Sequence, residues 1–392
     1  MDVAALKDSP VGQLVPIRGY DPRRGREYDH FAFLPHPLPE TVELDQSTWI
    51  LVTQAMSALG RLDQAGVQIP NPGLLQGPLI RREAVSTSAL EGTHAPFADV
   101  LEADVVAEAP RSPELREVLN YVLAAEYAFA EVKEGRPISA SLLSAVHSYL
   151  MQGTKGEGPT SGRLRDSQVI IGPEDCSIED ARFVPPPGED DRLRAGVDDW
   201  AAWVGRIRDM PIVVQSALAH YQFETLHPFQ DGNGRIGRLV VVLQLLQSGE
   251  LHEPLLEVSP WFERRRRDYQ DHLLEVSRTG DWNAWVRFFS NAIRDQALAT
   301  SARINDLLVF QNSMREEMRS KSLRGVAAQI ADELIGQPVL NVSWAARRHG
   351  VTYPAANSAI SRLVDLGVLQ EATGRSYGRV FRSEQVFQIL DR

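Results

Sequence analysis

The chain of 392 residues has a single cysteine, Cys176, so an internal disulfide framework is excluded and a reducing compartment is expected. It has no apolar run long enough to span a bilayer, which excludes a membrane-embedded helical bundle. The first residues, MDVAALKDSP, lack the basic-then-apolar order of a secretory leader, and a cytoplasmic location is expected. Positive charge is in deficit: 41 Lys and Arg against 52 Asp and Glu leave −11, which argues against a general nucleic-acid coat. The deficit is uneven. From Val326 to Arg392 there are seven positive and six negative residues, so this segment carries +1 and the rest −12. What remains is ordinary for a soluble globular protein, with 43% hydrophobic and 24% charged residues and length for two or three domains.

One stretch concentrates chemistry: His220 to Val240, HYQFETLHPFQDGNGRIGRLV. Apolar residues at helical spacing precede it from Pro211 to Thr225, and a second, buried helix is expected from Ile236 to Gln247, closed by Gly249. Between them His227 to Gly234 reads as a loop. Pro228 disfavours helix at the residues before it. Gly232 and Gly234 allow backbone conformations closed to other residues and leave room for a ligand. The loop feeds a helix N-terminus, where free amides and the macrodipole favour an anion. Arg235 and Arg238 lie one turn apart on the same face, a pair suited to two or more phosphates. Asp231 is a hard oxygen donor fit for Mg²⁺ between phosphates. His227 is the loop's one side chain with a pKa suited to proton abstraction near neutrality. The chemistry these residues spell is attack on a nucleotide phosphate by a hydroxyl that His227 deprotonates.

The run His227-Pro228-Phe229-Gln230-Asp231-Gly232-Asn233-Gly234-Arg235-Ile236-Gly237-Arg238 resembles the signature HPFxDGNGRxxR of the Fic family at every specified position. That resemblance implies transfer of AMP from ATP to a protein hydroxyl. It makes His227 the general base and Asp231 the Mg²⁺ ligand. Gly232, Asn233, Gly234 and Arg235 become the cradle for the α- and β-phosphates, Arg238 the γ-phosphate ligand, and Phe229 the anchor of the loop.

Upstream, a helix expected over Leu79 to Leu90 ends on Glu91, where the macrodipole disfavours an anion, with Gly92 as the stop. Thr87-Ser88-Ala89-Leu90-Glu91-Gly92 looks like the family's inhibitory motif (S/T)xxxE(G/N). The resemblance implies that Glu91 pairs with Arg238 and keeps the γ-phosphate from binding productively. Ile69 to Pro78 before that helix reads as a Pro/Gly loop, and residues 1 to about 40 as an extended arm without period. Helices are expected from Leu44, from Ser112 to Val132 and from Ile138 to Met151, where His147 is a core or supporting histidine. Val169-Ile170-Ile171 and Arg182-Phe183-Val184 read as two short strands around a polar tip. In the family such a hairpin covers the active site and pairs with the target's main chain. Arg264 to Arg267 open a helix on which Tyr269 is a candidate nucleotide contact, by resemblance.

Thr300 to Arg324 reads as a polar connector helix. Beyond it, short helices at Val326 to Leu334, Val342 to His349 and Pro354 to Leu366, then a hairpin of Val368 to Glu371 with Arg379 to Arg382, resemble a winged helix. Asn357, Ser358 and Arg362 lie on its candidate recognition helix and Arg375 and Arg379 in its wing. The near-neutral charge favours a protein-interaction module over DNA binding. The expected fold is thus mainly α: a Fic helical core with a small β-hairpin flap, an N-terminal helical segment and a C-terminal winged-helix domain. The divisions fall at 1–110, 111–298, 299–324 and 325–392. Three readings stay open: an autoinhibited adenylyltransferase using ATP and Mg²⁺, an enzyme that removes AMP from a modified protein, and a nucleotide-sensing DNA-binding regulator. A homodimer is an expectation of the resemblance; the sequence names no target protein and no membrane partner.

Overall fold

The computed structural model describes every residue except 22–23, 68, 70–72, 107–110, 174, 207–208 and 375–377. A short helix α1 (Val3–Leu6) leads into strands β1 (Gly12–Asp21) and β2 (Arg26–Pro35). Helices follow: α2 (Gln46–Val67), α3 (Gly73–Leu90), α4 (Phe97–Glu102), α5 (Pro113–Lys133), α6 (Ala140–Met151), α7 (Asp191–Val204), α8 (Ile212–Leu226) and α9 (Asn233–Gln247). Next come α10 (Ser259–Glu263), α11 (Arg266–Thr279) and the long α12 (Trp282–Ser320). The chain closes with α13 (Val326–Glu333), β3 (Val339–Asn341), α14 (Val342–His349), α15 (Tyr353–Asp365), β4 (Gln370–Glu371), β5 (Val380–Arg382) and α16 (Glu384–Asp391). The fold is mainly helical, as the spacing of apolar residues predicts, with small antiparallel sheets. It divides into two compact units that interleave along the sequence. One unit holds Met1–Ala58, Leu123–Glu250 and Trp261–Asp295; the other holds Leu59–Val122, Leu251–Pro260 and Gln296–Arg392.

In the first unit α9 is buried on all sides, from Ile236 through Leu245, the mark of a central helix rather than a surface one. Its partner α8 is nearly as buried. Indole N–H groups satisfy carbonyls along α8: Trp200 Nε1 donates to Ala219 O at 2.9 Å and Trp285 Nε1 to Ala217 O at 2.7 Å. The two helices that flank the signature loop are therefore fixed by packing before any ligand is considered.

The N-terminal arm is not irregular. Strands β1 and β2 form a ten-residue antiparallel hairpin with Gly12 opposite Pro35 and Asp21 opposite Arg26. Alternation is present but brief: Val15 and Ile17 turn inward, whereas Ala32 and Phe33 are buried side by side and break the period. Pro16 sits in β1, whose other side has no strand partner among the described residues, so its missing N–H costs no ladder bond. A small core unites Met1, Leu6, Val15, Ile17 and Phe33 with Ile178, Phe183 and Val184, and Phe33 N–H donates to Val184 O at 2.8 Å.

The expected flap hairpin is reduced to one bridge. Ile171 and Phe183 exchange N–H···O bonds of 2.9 and 3.0 Å, and neither neighbour extends the ladder. The reason is Pro185-Pro186-Pro187: in the register set by the bridge these residues would lie opposite Val169 and its neighbours, and proline has no N–H to give. Gln168 Nε2 takes over, donating to Pro185 O at 2.9 Å.

In the second unit α3 begins at Gly73, six residues ahead of the expected start, with Pro78 inside it. Pro78 cannot bond the carbonyl of Leu74, and Gly336 lies so close to that carbonyl that a Cβ there would stand 2.2 Å from its oxygen. The helix ends with Thr93 N–H on Ser88 O at 3.0 Å and Gly92 at φ +89°, a left-handed stop. The C-terminal helices match the expected ranges to within one residue, and Gly350 at φ 63° caps α14 as the turn demands. The hairpin gains a strand, giving the order β3-β5-β4. This module packs on α3 and α4: Phe387 stacks on Phe97 at 5.8 Å, and Asn341 Nδ2 donates to Val105 O at 2.7 Å.

Candidate active site

The loop between α8 and α9 is built around one unusual residue. His227 caps α8 in the left-handed conformation, φ 49° and ψ 60°, which costs a residue with a Cβ roughly 1–2 kcal/mol. The conformation turns the chain sharply while the His227 N–H still closes α8 on Phe223 O at 2.9 Å. The imidazole Nδ1 lies 3.3 Å from Glu224 O, an acceptor only, so Nδ1 carries the proton and Nε2 is the basic nitrogen.

Asn233 closes the loop. Its amide oxygen accepts Phe229 N–H and its amide nitrogen donates to Phe229 O, both at 2.8 Å, with the residue 2% exposed. Its side chain is therefore committed to the protein, and only its main chain is left for a phosphate. Gly232, at φ 77°, is the N-cap of α9, and a Cβ there would stand 2.8 Å from Leu150 Cδ2. Helix α9 has no side-chain cap, the arrangement in which first-turn amides face an anion. Arg235 and Arg238 are both buried. The Asp231 carboxylate accepts Gly232 N–H at 2.6 Å and lies 3.6 Å from Arg235 Nη2, with its side chain 58% exposed.

His147 supports the loop from α6. Its ring stacks on Phe229 with centroids 4.3 Å apart, Nδ1 accepts Gly162 N–H at 2.8 Å, and Nε2 donates to Asp231 O at 3.1 Å. Burial holds its pKa down to about 4, so the ring is neutral and its tautomer is set by these two bonds. His220 plays the matching part between the helices. Nδ1 donates to Gly237 O at 3.1 Å, Nε2 accepts the Tyr269 hydroxyl at 2.7 Å, and burial pushes the pKa to about 3. That bond places Tyr269 differently from expectation. It is 5% exposed, stacked on Phe262 at 4.7 Å, with its hydroxyl given to His220, so it braces the core instead of presenting a surface to a nucleotide.

The structure thus brings His227, Asp231, Gly232, Asn233, Gly234, Arg235 and Arg238 into one loop and helix start. Val169, Ile170 and Ile171 lie in the same unit, with Ile170 36% exposed. Thr87, fully buried in α3, and Glu91, just past its end, belong to the other unit. Arg165 was not singled out by the sequence. Nothing there separates it from Arg163, two residues earlier, yet Arg163 is exposed and Arg165 is 2% exposed.

Residues 49–130 match the Fic/DOC family N-terminal domain and residues 137–245 the Fic/DOC family domain, which contains the loop just described. The chain belongs to the Fic family. Curated relatives include the protein adenylyltransferase Fic of Drosophila erecta, 26% identical over 194 residues, and that of Drosophila willistoni, 27% identical over 193 residues. Each match covers 49% of this chain and 35% of the relative, so the chain spans about a third of the length of those relatives. A solved Fic family protein from Desulfovibrio desulfuricans G20 has the same fold over 87% of this chain and 97% of its own, with TM-score 0.55 and 23% identity. Fic-1 from C. elegans matches 67% of this chain and 74% of its own at TM-score 0.50 and 19% identity. Among the described residues no helix is long and apolar enough to cross a membrane.

Proposed function

We propose that this Fic protein is a Mg²⁺-dependent protein adenylyltransferase held in check by Glu91. The observation that carries the reading is the His227 ring: Nδ1 faces the Glu224 carbonyl at 3.3 Å and so carries the proton, which makes Nε2 the proton-accepting nitrogen, ahead of a helix N-terminus without a side-chain cap. The target hydroxyl oxygen bonds to the α-phosphorus of ATP while His227 Nε2 takes its proton. The bond from that phosphorus to the β-phosphate oxygen breaks, and the electron pair leaves with pyrophosphate. Main-chain groups of Gly232, Asn233 and Gly234 with Arg235 hold the α- and β-phosphates, and Arg238 holds the γ-phosphate. Asp231 fits a metal ligand by its half-exposed carboxylate. Mg²⁺ held there and by the phosphates would neutralise their charge. Val169 to Ile171 would receive the target main chain as an added strand: the bridge spends Ile171 and the Gln168 side chain takes Val169 O, while Ile170 between them is 36% exposed.

Control rests on Thr87 and Glu91 at the end of α3. In this reading Glu91 takes Arg238, and a carboxylate left beside the γ-phosphate pushes the nucleotide out of line with the incoming hydroxyl. The test is labelled AMP incorporation from ATP by wild type, Glu91→Gly, and Glu91→Gly with His227→Ala. Glu91→Gly is expected to be strongly activated and the double variant to lose ~10²–10⁴-fold. A single variant no more active than wild type removes Glu91 as the brake. One that is poorer at removing AMP from a modified protein favours the reverse reaction.

The C-terminal module, read as a winged helix, is proposed to bind protein. Arg379 donates to Asn357 Oδ1 at 3.0 Å and lies 3.6 Å from Glu371, so two of the candidate base readers are engaged with each other. Arg375 lies outside the described residues. Retention of a specific duplex with salt-dependent affinity would overturn this assignment.

A further inference from the structure

Among the described residues, Arg165 is a buried cation whose side-chain bonds all go to main-chain carbonyls, with no carboxylate among them. Nε donates to His227 O at 2.8 Å, Nη1 to Ser167 O at 2.9 Å, and Nη2 to Pro186 O and to Leu226 O, the latter at 3.3 Å. Its main-chain N–H adds Pro228 O at 2.9 Å. One residue therefore takes three consecutive carbonyls, those of Leu226, His227 and Pro228. They form the corner where α8 ends and the left-handed His227 turns the chain. Burial lowers the guanidinium to about 10, still far above neutrality, so the charge is kept.

These bonds depend on the corner's shape. If His227 relaxed to a helical or extended backbone its carbonyl would swing off Nε, and a buried charge would lose its acceptor. A strained backbone persists only where its surroundings overdetermine it, and Arg165 is the group that does so here. The direction of the His227 Cβ, and with it the Nδ1 bond to Glu224 O, follows from the backbone so held. The other fork of the guanidinium grips Ser167 and Pro186, which lie at the two feet of the flap.

We propose that Arg165 is a positioning residue for the His227 base, tying the base's main chain to the feet of the target-docking flap. The proposal rests on the adenylyltransferase reading for its kinetic consequence, but its geometric claim is independent. Lysine carries the charge without the planar fork and can serve few of the four carbonyls at once. Arg165→Lys is therefore expected to lower kcat for AMP transfer by ~10²-fold, the scale of a ~1 Å misplacement, with nucleotide KM unchanged. A second variant keeps the arginine: Gly188→Ala would place a Cβ 2.8 Å from Nη1 and 2.7 Å from Ser167 O, displacing the fork, and is expected to act in the same direction with smaller size. Arg163→Lys is the exposed control.

The readout that a merely structural arginine would not move is the His227 imidazole ¹⁵N spectrum. Wild type is expected to show the Nδ1-protonated tautomer, and both variants a mixture. Guanidinium ion added to Arg165→Ala is expected to restore the tautomer and part of the rate. Arg165→Lys and Gly188→Ala proteins with the wild-type tautomer and kcat would overturn the proposal, as would a loss confined to KM. Should wild type transfer no AMP from ATP, the adenylyltransferase reading fails, and the tautomer comparison still decides the role of Arg165.

Discussion

Two stretches of the first unit face opposite tasks with the same backbone chemistry. From His227 to Gly232 main-chain groups are closed off one after another: His227 by Phe223 and Arg165, Pro228 by Arg165, Phe229 by Asn233, Asp231 by His147, Gly232 by Asp231 and Ile236. From Val169 to Ile171 one pair of backbone N–H···O bonds and the Gln168 side chain on Val169 O do the work, and prolines on the facing segment prevent a longer ladder. A group that must meet a reacting atom within a fraction of an ångström is best held by a loop whose turn is already bonded to the protein. A segment that must accept another chain needs main-chain groups left to pair. The contrast separates where geometry is stored from where recognition is left open.

The contrast breaks most visibly if the loop is opened. Asn233→Ala strips both bonds from Phe229 and leaves a buried N–H and C=O without partners, at about 1–3 kcal/mol each. The expected result is a stability loss of roughly 2–6 kcal/mol in denaturant melts and a transfer rate down ~10²-fold or more.

Next in size is acid. The loop's support includes two neutral histidines, His147 with a pKa near 4 and His220 near 3, both depressed by burial below the ordinary 6.5. Below pH 6.5 the unfolded chain binds protons that the folded chain refuses, so their contribution is full above 6.5 and drains as pH falls toward 4. Each histidine contributes a slope of about 1.4 kcal/mol per pH unit, or on the order of 3 kcal/mol for the pair between pH 6.5 and 5. His147→Gln keeps a donor and an acceptor but cannot titrate, and is expected to remove about half of this slope. Denaturation at stepped pH measures it; an unchanged slope in the variant would mean that His147 is charged in the fold.

The smallest effect should come from the open side. Ile170→Ala lies on a half-exposed segment and is expected to shift stability by less than ~0.5 kcal/mol. In the docking reading it raises KM for a protein target and leaves ATP affinity alone. Steady-state kinetics that show kcat falling instead would place Ile170 with the loop rather than the flap.

The loop's existence, its ends and its composition were legible because twelve adjacent residues carry them. The helices of the core and the C-terminal module follow from apolar spacing and from punctuation by Gly232, Gly350 and Pro354. The failures share a cause. The flap strands were drawn from β-branched residues, while the partner's prolines decided the outcome. The N-terminal hairpin was missed because Ala32 and Phe33 interrupt the alternation. The expected start of α3 falls after Pro78, although a proline inside a helix forfeits one backbone bond without ending it here. Tyr269 is a nucleotide-contact candidate only by resemblance, whereas its hydroxyl bonds His220 Nε2. Arg165 has no sequence signal at all, since its role is set by carbonyls brought together by folding.

The approach of Gly336 to the Leu74 carbonyl has a consequence for the order of events on the ribosome. Helix α3, which carries Thr87 and ends just before Glu91, leaves the exit tunnel well before the signature loop, and the glycine that packs against its Leu74 carbonyl emerges long after both. Until Gly336 and the Phe387 ring arrive, α3 and α4 lack contacts that the finished chain makes. The nascent molecule therefore completes its candidate catalytic loop before it completes the helix proposed to restrain it. Chains stalled between α9 and α13 are the form in which that interval can be observed.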